Sequence, residues 1–232
     1  MTRDTSSPAA TGAALQLLEV VLGDPASAWR DAGFDVADDG TFALGSTTLR
    51  CTGTGGGFLG WSIDGLDAAG RDGASLDGLA LATGDTPRAT AAAPAPAHPN
   101  GIASIDHVVV RTGDVERTVA AFTDAGFEVR GGRSTTSYGA PMRQTFFWAG
   151  DVILELVGPD EGEPTTDEAT SIFGLALVAP DLDATASTLG ELLGTPKEAV
   201  QAGRRIAGLR GREVGISLPI AVMSPHVRAD AT

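Results

Sequence analysis

Two stretches of the chain share one pattern of apolar and polar positions. Residues 105–111 ("IDHVVVR") and 172–178 ("IFGLALV") are apolar runs of strand length. Each is followed by an aspartate that begins a helical pattern, in "GDVERT" at 113–118 and in "PDLDAT" at 180–185. The shared order of a buried strand, an acidic cap and a helix indicates an internal repeat.

The repeat continues to the end of each stretch. The run "ELVGP" at 155–159 is answered by "AVMSP" at 221–225. The pattern predicts one unit, consisting of a strand, a helix and about three strands, over residues 102–159, and a second copy over residues 170–225.

The first half of the chain contains a shorter version of the same pattern. Residues 30–36 read "RDAGFDV" and residues 123–129 read "TDAGFEV". The glycine in each predicts a helix that ends in a left-handed residue before the next strand. We interpret residues 14–53 as a shortened copy and residues 57–85 as a fourth copy without most of its helix.

Composition divides the chain into two units. Residues 86–101 ("TPRATAAAPAPAHPNG") are rich in proline and alanine and have no apolar periodicity, which is typical of an extended linker. The predicted domains are therefore 14–85 and 102–226, and the length of 232 residues suits two compact units. His98 lies in the linker and is expected to face solvent.

Charge and residue usage exclude several classes of function. A net charge of -14 opposes nucleic-acid binding, and no apolar run is long enough for a membrane span or, in residues 1–13, for a signal peptide. The expected location is the cytoplasm. Cys51 is the only cysteine, which excludes an intramolecular disulfide and a cysteine-based zinc site. His98, His107 and His226 are the only imidazoles.

The repeat resembles the glyoxalase/bleomycin-resistance group, also called the vicinal oxygen chelate superfamily. The residues that carry the resemblance are "IDHVVVRTGDVERTVAAFTDAGFEV" at 105–129 and "MRQTFFWAGDVILELVGP" at 142–159. The resemblance implies an α+β fold in which paired βαβββ modules form a curled mixed sheet around a cavity, with residues 14–85 as a degenerate N-terminal copy.

The resemblance also implies positions for metal ligands. Metal-dependent members take one ligand from the first strand and one from the last strand of each module, and the matching residues here are His107 and Glu155. The second module has Gly174 and Ala221 at the corresponding positions. A catalytic metal site normally needs about three protein ligands. We therefore expect no certain cofactor, and at most a weakly bound divalent ion.

The first half of the chain offers no ligands by the same comparison. Arg50 aligns there with Glu155, and an apolar residue near Leu17 aligns with His107. Glu155 lies in the apolar run "DVILELVG", where an unpaired carboxylate would cost several kcal/mol. It must therefore meet a polar partner, and His107 facing it across the sheet would form either an acid–base pair or a structural ion pair.

Candidate ligand-binding residues lie in the second strands of the modules. In "MRQTFF" and "GRRIAG", alternation turns one residue of each adjacent polar pair toward the cavity without indicating which one. An inward arginine would suit a carboxylate or phosphate group. The candidates are Arg143, Gln144, Arg204, Arg205 and Trp148, and the aromatic residues Phe146, Phe147 and Tyr138 are expected mostly in the core.

Three functions remain open at this point. The first is an enzyme similar to glyoxalase-type lyases or isomerases, which acts on a small oxygenated molecule through His107 and Glu155. The second is a metal-free binding protein, akin to the drug-sequestering members of the group. The third is a structural or regulatory module whose N-terminal half mediates association, with a homodimer as the expected partner state.

Overall fold

The structure is a computed structural model that describes residues 15–66, 74–82, 97–136, 140–160 and 169–226. Tyr138 and residues 86–96 of the predicted linker lie outside these ranges. The helices are α1 Ala26–Asp31, α2 Val115–Asp124 and α3 Leu182–Leu189. The strands are β1 Gln16–Leu22, β2 Thr41–Leu44, β3 Thr47–Cys51, β4 Phe58–Asp64, β5 Ser75–Leu76, β6 Leu79–Ala80, β7 Ser104–Arg111, β8 Gly131–Thr135, β9 Met142–Ala149, β10 Val152–Pro159, β11 Ser171–Val178, β12 Lys197–Glu198, β13 Arg205–Leu209 and β14 Ile220–Met223.

An eight-stranded mixed sheet dominates the second half of the chain. Its order is β12-β13-β14-β11-β7-β10-β9-β8. β7 pairs in parallel with β10, β11 pairs in parallel with β14, and the antiparallel contact of β7 with β11 joins the two groups. The two groups are βαβββ modules side by side in one sheet. The α+β fold implied by the resemblance to the glyoxalase group is therefore confirmed.

Local sequence signals explain the helices of these modules. The carboxylates of Asp114 and Asp181 accept hydrogen bonds from backbone N–H groups in the first turns of α2 and α3. Gly33 and Gly126, the glycines of the two "DAGF" segments, follow α1 and α2 with φ of 80° and 99°. Both glycines therefore adopt the left-handed conformation that was predicted to end the helix.

The first half of the chain forms a separate four-stranded sheet of order β2-β3-β1-β4. β1 pairs in parallel with β3, as the first and last strands of a module do. β4 pairs antiparallel on the other side of β1, as β11 does with β7. No helix follows β4 within the described residues up to 66 or from 74 to 82.

The side chains of the large sheet divide between two faces. Phe147 points to the face that packs against α2, where its ring centroid lies 5.3 Å from that of Phe122. Trp61 of β4 reaches the same cluster, with its centroid 6.3 Å from Phe122. The buried apolar residues of the two halves therefore form one continuous core. His107 lies on the other face of the sheet, which we call the open face.

His98 is half-buried and bonded to the N-terminal half of the chain, whereas the linker composition predicted that it would face solvent. Its Nδ1 accepts a hydrogen bond from Asp35 N at 3.1 Å, and its Nε2 lies 2.8 Å from the carbonyl oxygen of Ala43. The ring also packs edge-on against Phe34 and Phe42. The end of the predicted linker is thus attached to the N-terminal sheet.

Among the described helices, none combines the length and apolarity that a membrane span requires.

Candidate functional site

A continuous series of polar side chains crosses the open face of the large sheet. Cross-strand partners in a sheet share a face. By this register, the polar residues of the series on β8, β9 and β10 lie on the same side of the sheet as His107 of β7. We call this series the polar row. Its members are Arg133, Gln144, Glu155, His107, Asp106 and Arg204.

His107 and Glu155 converge in the middle of the polar row. Nε2 of His107 lies 3.4 Å from Oε2 of Glu155. The two side chains are 13% and 8% exposed, so both are largely buried but remain open to the surface. The polar partner that sequence reasoning required for Glu155 therefore includes His107.

A β-bulge brings Asp106 to the same side as His107. Ala176 of β11 lies opposite His107, but the next residue, Leu177, lies opposite Ile105, so β7 contains one extra residue at Asp106. Oδ2 of Asp106 lies 2.8 Å from Nδ1 of His107. Strict alternation predicts opposite faces for adjacent residues, and for this reason sequence reasoning missed Asp106. An aspartate within an apolar strand was the only available signal.

Arg204 pairs with Asp106 in the interior of the protein. Its Nη2 and Nη1 donate to the two carboxylate oxygens at 2.7 and 3.2 Å, and both side chains are almost fully buried. Nε and Nη2 also donate to the carbonyl oxygen of Ser224. Nε2 of His226, a largely exposed residue, lies 3.2 Å from Nη1 of Arg204. Every nitrogen of the buried guanidinium therefore has a hydrogen-bond partner.

These contacts determine the charge of Asp106. Burial alone would raise the pKa of this carboxyl. The hydrogen bonds from His107 and Arg204, and the positive charge of the guanidinium, outweigh burial and hold its pKa well below the usual value of 3.8. An ionised Asp106 can only accept, so Nδ1 of His107 carries the proton of this hydrogen bond.

Arg133 and Gln144 orient Glu155 from the other end of the polar row. Nε of Arg133 donates to Oε1 of Gln144, and arginine cannot accept a hydrogen bond. The Gln144 amide must therefore turn its Nε2 toward Oε1 of Glu155, with which it forms a second hydrogen bond. Gln144 is buried, whereas Arg133 is exposed on the edge strand β8. Glu155 is thus held through one oxygen, and its other oxygen faces His107.

Nε2 of His107 and Oε2 of Glu155 attract each other only when one of the two atoms carries a proton. With Nδ1 protonated, a neutral ring would direct the lone pair of Nε2 toward a carboxylate oxygen, and the two would repel each other. A proton on either atom removes this repulsion. The ionised Asp106 stabilises the positive charge of a doubly protonated ring. The arrangement is able to exchange protons with a small molecule bound on the open face.

Arg143 and Arg205 are turned away from the polar row, contrary to their predicted place as ligand-binding residues. Arg143 pairs with Glu116 in the first turn of α2, and Arg205 donates to both oxygens of Asp183 in α3. Alternation sends the neighbouring residues, Gln144 and Arg204, to the open face. Burial of apolar neighbours decided which member of each pair faces the helices. Arg143 shares its side of β9 with buried Phe147, and Arg205 shares its side of β13 with buried Ala207.

The aromatic candidates are divided between the two faces. Trp148 and Phe146 alternate with buried Phe147 on β9 and lie on the open face, where Trp148 is 47% exposed. The register places Phe146 opposite Glu155, and Trp148 opposite Ile153, the residue that pairs with His107. The open face therefore has an apolar surface beside the His107–Glu155 pair.

The second module has no metal ligand at the positions that correspond to His107 and Glu155. Glu155 pairs with the residue two positions after His107, and Ala221 pairs with the residue two positions after Gly174, so the two pairs correspond in register. A Cβ atom at Gly174 would lie only 2.4 Å from the carbonyl oxygen of Pro219. The close approach of the Pro219 backbone therefore leaves no room for a histidine side chain at this position.

The corresponding pair in the N-terminal sheet is an ion pair. Arg50 lies opposite Val21, so Glu19, two residues earlier on β1, has the place of His107 in the register. The sequence comparison, which put a residue near Leu17 there, was wrong by two positions. Nε of Arg50 donates to Oε1 of Glu19 at 2.8 Å. Both corresponding positions are polar in this sheet, but they carry no imidazole.

The donor set does not fit a catalytic metal centre of the glyoxalase type. Within the described ranges, no group of three or more His, Cys, Asp and Glu side chains converges as a metal site would require. His107 and Glu155 supply two donors, and Asp106 is engaged with Nδ1 and Arg204. About three protein ligands are normally needed. We therefore derive no chemistry through a bound metal.

Comparisons with known proteins find similarity at the level of the fold. No protein-family model matches the sequence, and no curated protein matches it. Similar solved structures include the methylmalonyl-CoA epimerase from Mycobacterium tuberculosis, with 16% identity and a TM-score of 0.43 over 57% of this chain and 94% of that chain. A hypothetical protein from Bacillus halodurans C-125 has 14% identity and a TM-score of 0.43 over 55% of this chain and 97% of that chain.

A methylmalonyl-CoA epimerase from Streptomyces coelicolor, in complex with 2-nitronate-propionyl-CoA, has 19% identity and a TM-score of 0.39. That match covers 53% of this chain and 97% of the epimerase chain. At these identities the similarity concerns the fold, and no residue role is transferred from these proteins.

Proposed function

We propose that the open face binds a small molecule with a carbonyl group, and that His107 and Glu155 catalyse proton transfer at the carbon next to that carbonyl without a metal ion. The observation that carries this proposal is the position of His107 between two carboxylates. Asp106 fixes one ring nitrogen, and the other faces Glu155 at 3.4 Å on a surface that remains partly accessible. Such a pair provides an acid and a base side by side.

The two groups have separate roles in this reaction. Oε2 of Glu155 removes the proton from the carbon beside the carbonyl, and the electrons of the C–H bond move toward the carbonyl oxygen. Nε2–H of His107 donates a hydrogen bond to that oxygen, on which negative charge develops. The carboxyl proton of Glu155 then exchanges with water, and return of a proton from Glu155 to the same carbon regenerates the C–H bond, so that carbon-bound hydrogen is exchanged with solvent. Asp106 stabilises the positive ring throughout.

A direct test is the exchange of carbon-bound hydrogen for deuterium. The protein is incubated in D₂O with 5-oxohexanoate and with its methyl ester, and the hydrogens beside the ketone are followed by NMR in the presence of EDTA. We expect exchange above the buffer rate, reduced about 10²-fold or more in His107→Asn and in Glu155→Gln, because positioned acid–base groups contribute this much. His107→Asn keeps a donor toward Asp106.

Three results would overturn the acid–base role. They are an absence of enzyme-dependent exchange, exchange that both variants retain, and exchange that EDTA abolishes. Loss of activity with EDTA and recovery with Zn²⁺ or Mn²⁺ would instead support a weak two-donor metal site.

The exposed aromatic surface favours a second candidate function, binding without catalysis. Trp148 and Phe146 offer an apolar wall next to the polar row, which suits sequestration of a small apolar molecule. In this case ligands raise the unfolding temperature equally with and without EDTA, and His107→Asn does not diminish the effect. Binding that survives in His107→Asn while exchange is absent from the wild type would favour this function.

A further inference from the structure

Arg133 is an exposed arginine whose orientation is determined by a buried residue. Its Nε donates to Gln144, which is 2% exposed, and its guanidinium carbon lies 5.8 Å from the centre of the Phe146 ring. Exposed arginines commonly lack defined partners, because holding a long side chain in place costs entropy. The hydrogen bond and the aromatic contact hold this guanidinium in place over the open face.

The terminal nitrogens of Arg133 remain available for a ligand. Neither Nη1 nor Nη2 forms a hydrogen bond or an ion pair within the described part of the chain, where the hydrogen bond of this guanidinium is made through Nε. This arrangement differs from those of Arg143, Arg204 and Arg205, each of which has at least one Nη group paired with a carboxylate. A guanidinium with two parallel N–H donors binds a carboxylate or phosphate in bidentate fashion.

The polar row connects Arg133 to the acid–base pair. Only Gln144 and Glu155 lie between Arg133 and His107, so the guanidinium is about three to four hydrogen-bond lengths, roughly 10 Å, from the imidazole. Phe146, opposite Glu155, covers the sheet between them. A molecule of several carbons would span this distance, with its apolar body on Phe146.

We propose that Arg133 is the specificity-determining residue of the site and selects a ligand whose anionic group lies several carbons from its carbonyl. This inference rests on the proposed function for the position of the carbonyl. The ligand class is an oxo acid, with the carboxylate on Arg133 and the ketone at His107 and Glu155. A phosphate in place of the carboxylate would accept hydrogen bonds from the same two N–H groups of Arg133.

The experiment compares matched acids and esters by binding, so that it does not depend on turnover. The probes are 4-oxopentanoate, 5-oxohexanoate and 7-oxooctanoate, each with its methyl ester, and binding is followed through the NMR signals of the His107 ring. We expect the wild type to prefer the acid of at least one length over its ester by about tenfold, since charge-assisted bidentate hydrogen bonds are the strong ones.

Variants identify the residue responsible for that preference. Arg133→Gln should bind acid and ester equally, at the affinity of the wild type for the ester. Arg133→Lys, which keeps the charge but lacks the fork, should have an intermediate preference. Arg143→Gln is the matched control, because Arg143 lies on the adjacent strand but on the other face. We expect it to behave as the wild type does.

Each contrary outcome is informative. An undiminished acid preference in Arg133→Gln, or no effect of any oxo acid on the His107 signals at millimolar concentration, would overturn the role of Arg133. A preference that disappears in Arg133→Gln, together with an absence of hydrogen exchange, would support the anion site while rejecting the proposed catalysis.

Discussion

The buried pair of Asp106 and Arg204 makes a quantitative prediction about stability. Their side chains are 3% and 2% exposed, and two hydrogen bonds of 2.7 and 3.2 Å join them. Removing one partner of a buried pair leaves an uncompensated charge and costs about 3–5 kcal/mol. We expect Asp106→Asn to lower the free energy of unfolding at pH 7 by this amount, which lowers the unfolding temperature by roughly 10 °C.

The deficit of this variant should depend on pH. The pKa of Asp106 in the folded protein lies below its usual value of 3.8, so its carboxylate stabilises the fold fully at pH values above about 4. That stabilisation decreases as the pH falls below 4 toward the folded pKa. The difference between the wild type and Asp106→Asn should therefore be largest near neutral pH and should become smaller in acid.

The measurement is urea unfolding, followed by tryptophan fluorescence between pH 7 and pH 3. The double variant Asp106→Asn with Arg204→Met should be less destabilised than Asp106→Asn alone, because no buried charge remains unpaired. Asp183→Asn breaks the exposed pair with Arg205 and should cost no more than about 1 kcal/mol. A loss below about 1 kcal/mol in Asp106→Asn, or a deficit that is equal at both pH values, would refute the reasoning.

Three further predictions concern other parts of the chain. His98→Ala should lower the free energy of unfolding by about 1–2 kcal/mol through two lost hydrogen bonds, and thermal unfolding equal to that of the wild type would contradict this. Burial raises the pKa of the Cys51 thiol to about 11, so iodoacetamide at pH 8 should modify it only after unfolding. Rapid labelling of the native protein would show that the thiol is accessible. Gly174→Ala should destabilise the fold by about 1–3 kcal/mol, whereas Gly208→Ala, where a Cβ meets nothing within 4 Å, should be tolerated. Equal chemical stability of the two variants would show that Pro219 can move away.

Local patterns were sufficient for the elements and for the order of the fold. The aspartates that begin α2 and α3 and the glycine after α2 act on backbone groups a few residues away, so their effects can be predicted from short segments. The same holds for the apolar runs that became β7 and β11. His107 and Glu155 were singled out by the resemblance to the glyoxalase group, and the apolar run around Glu155 indicated that its carboxylate needs a polar partner.

The remaining features of the site depend on contacts between distant segments. Alternation predicted that Gln144 and Arg143 would face opposite sides, but only the packing of Phe147 against Phe122 of α2 determined which side each one took. Similarly, His98 became structural because residues 35 and 43 supply its partners. Such pairs cannot be predicted from local sequence, because the two residues are far apart along the chain and no local pattern links them.

The sequence by itself thus determined the order of strands and helices in the two modules, because this order follows from periodicity and capping along the chain, and the resemblance to the glyoxalase group singled out the two central polar residues. Only the tertiary structure decided that Asp106 joins His107. The bulge that reverses its side of the sheet is defined by the pairing of β7 with β11, and Arg204, 98 residues away, neutralises its charge. Strand register and burial are properties of packed neighbours, and no single segment contains them.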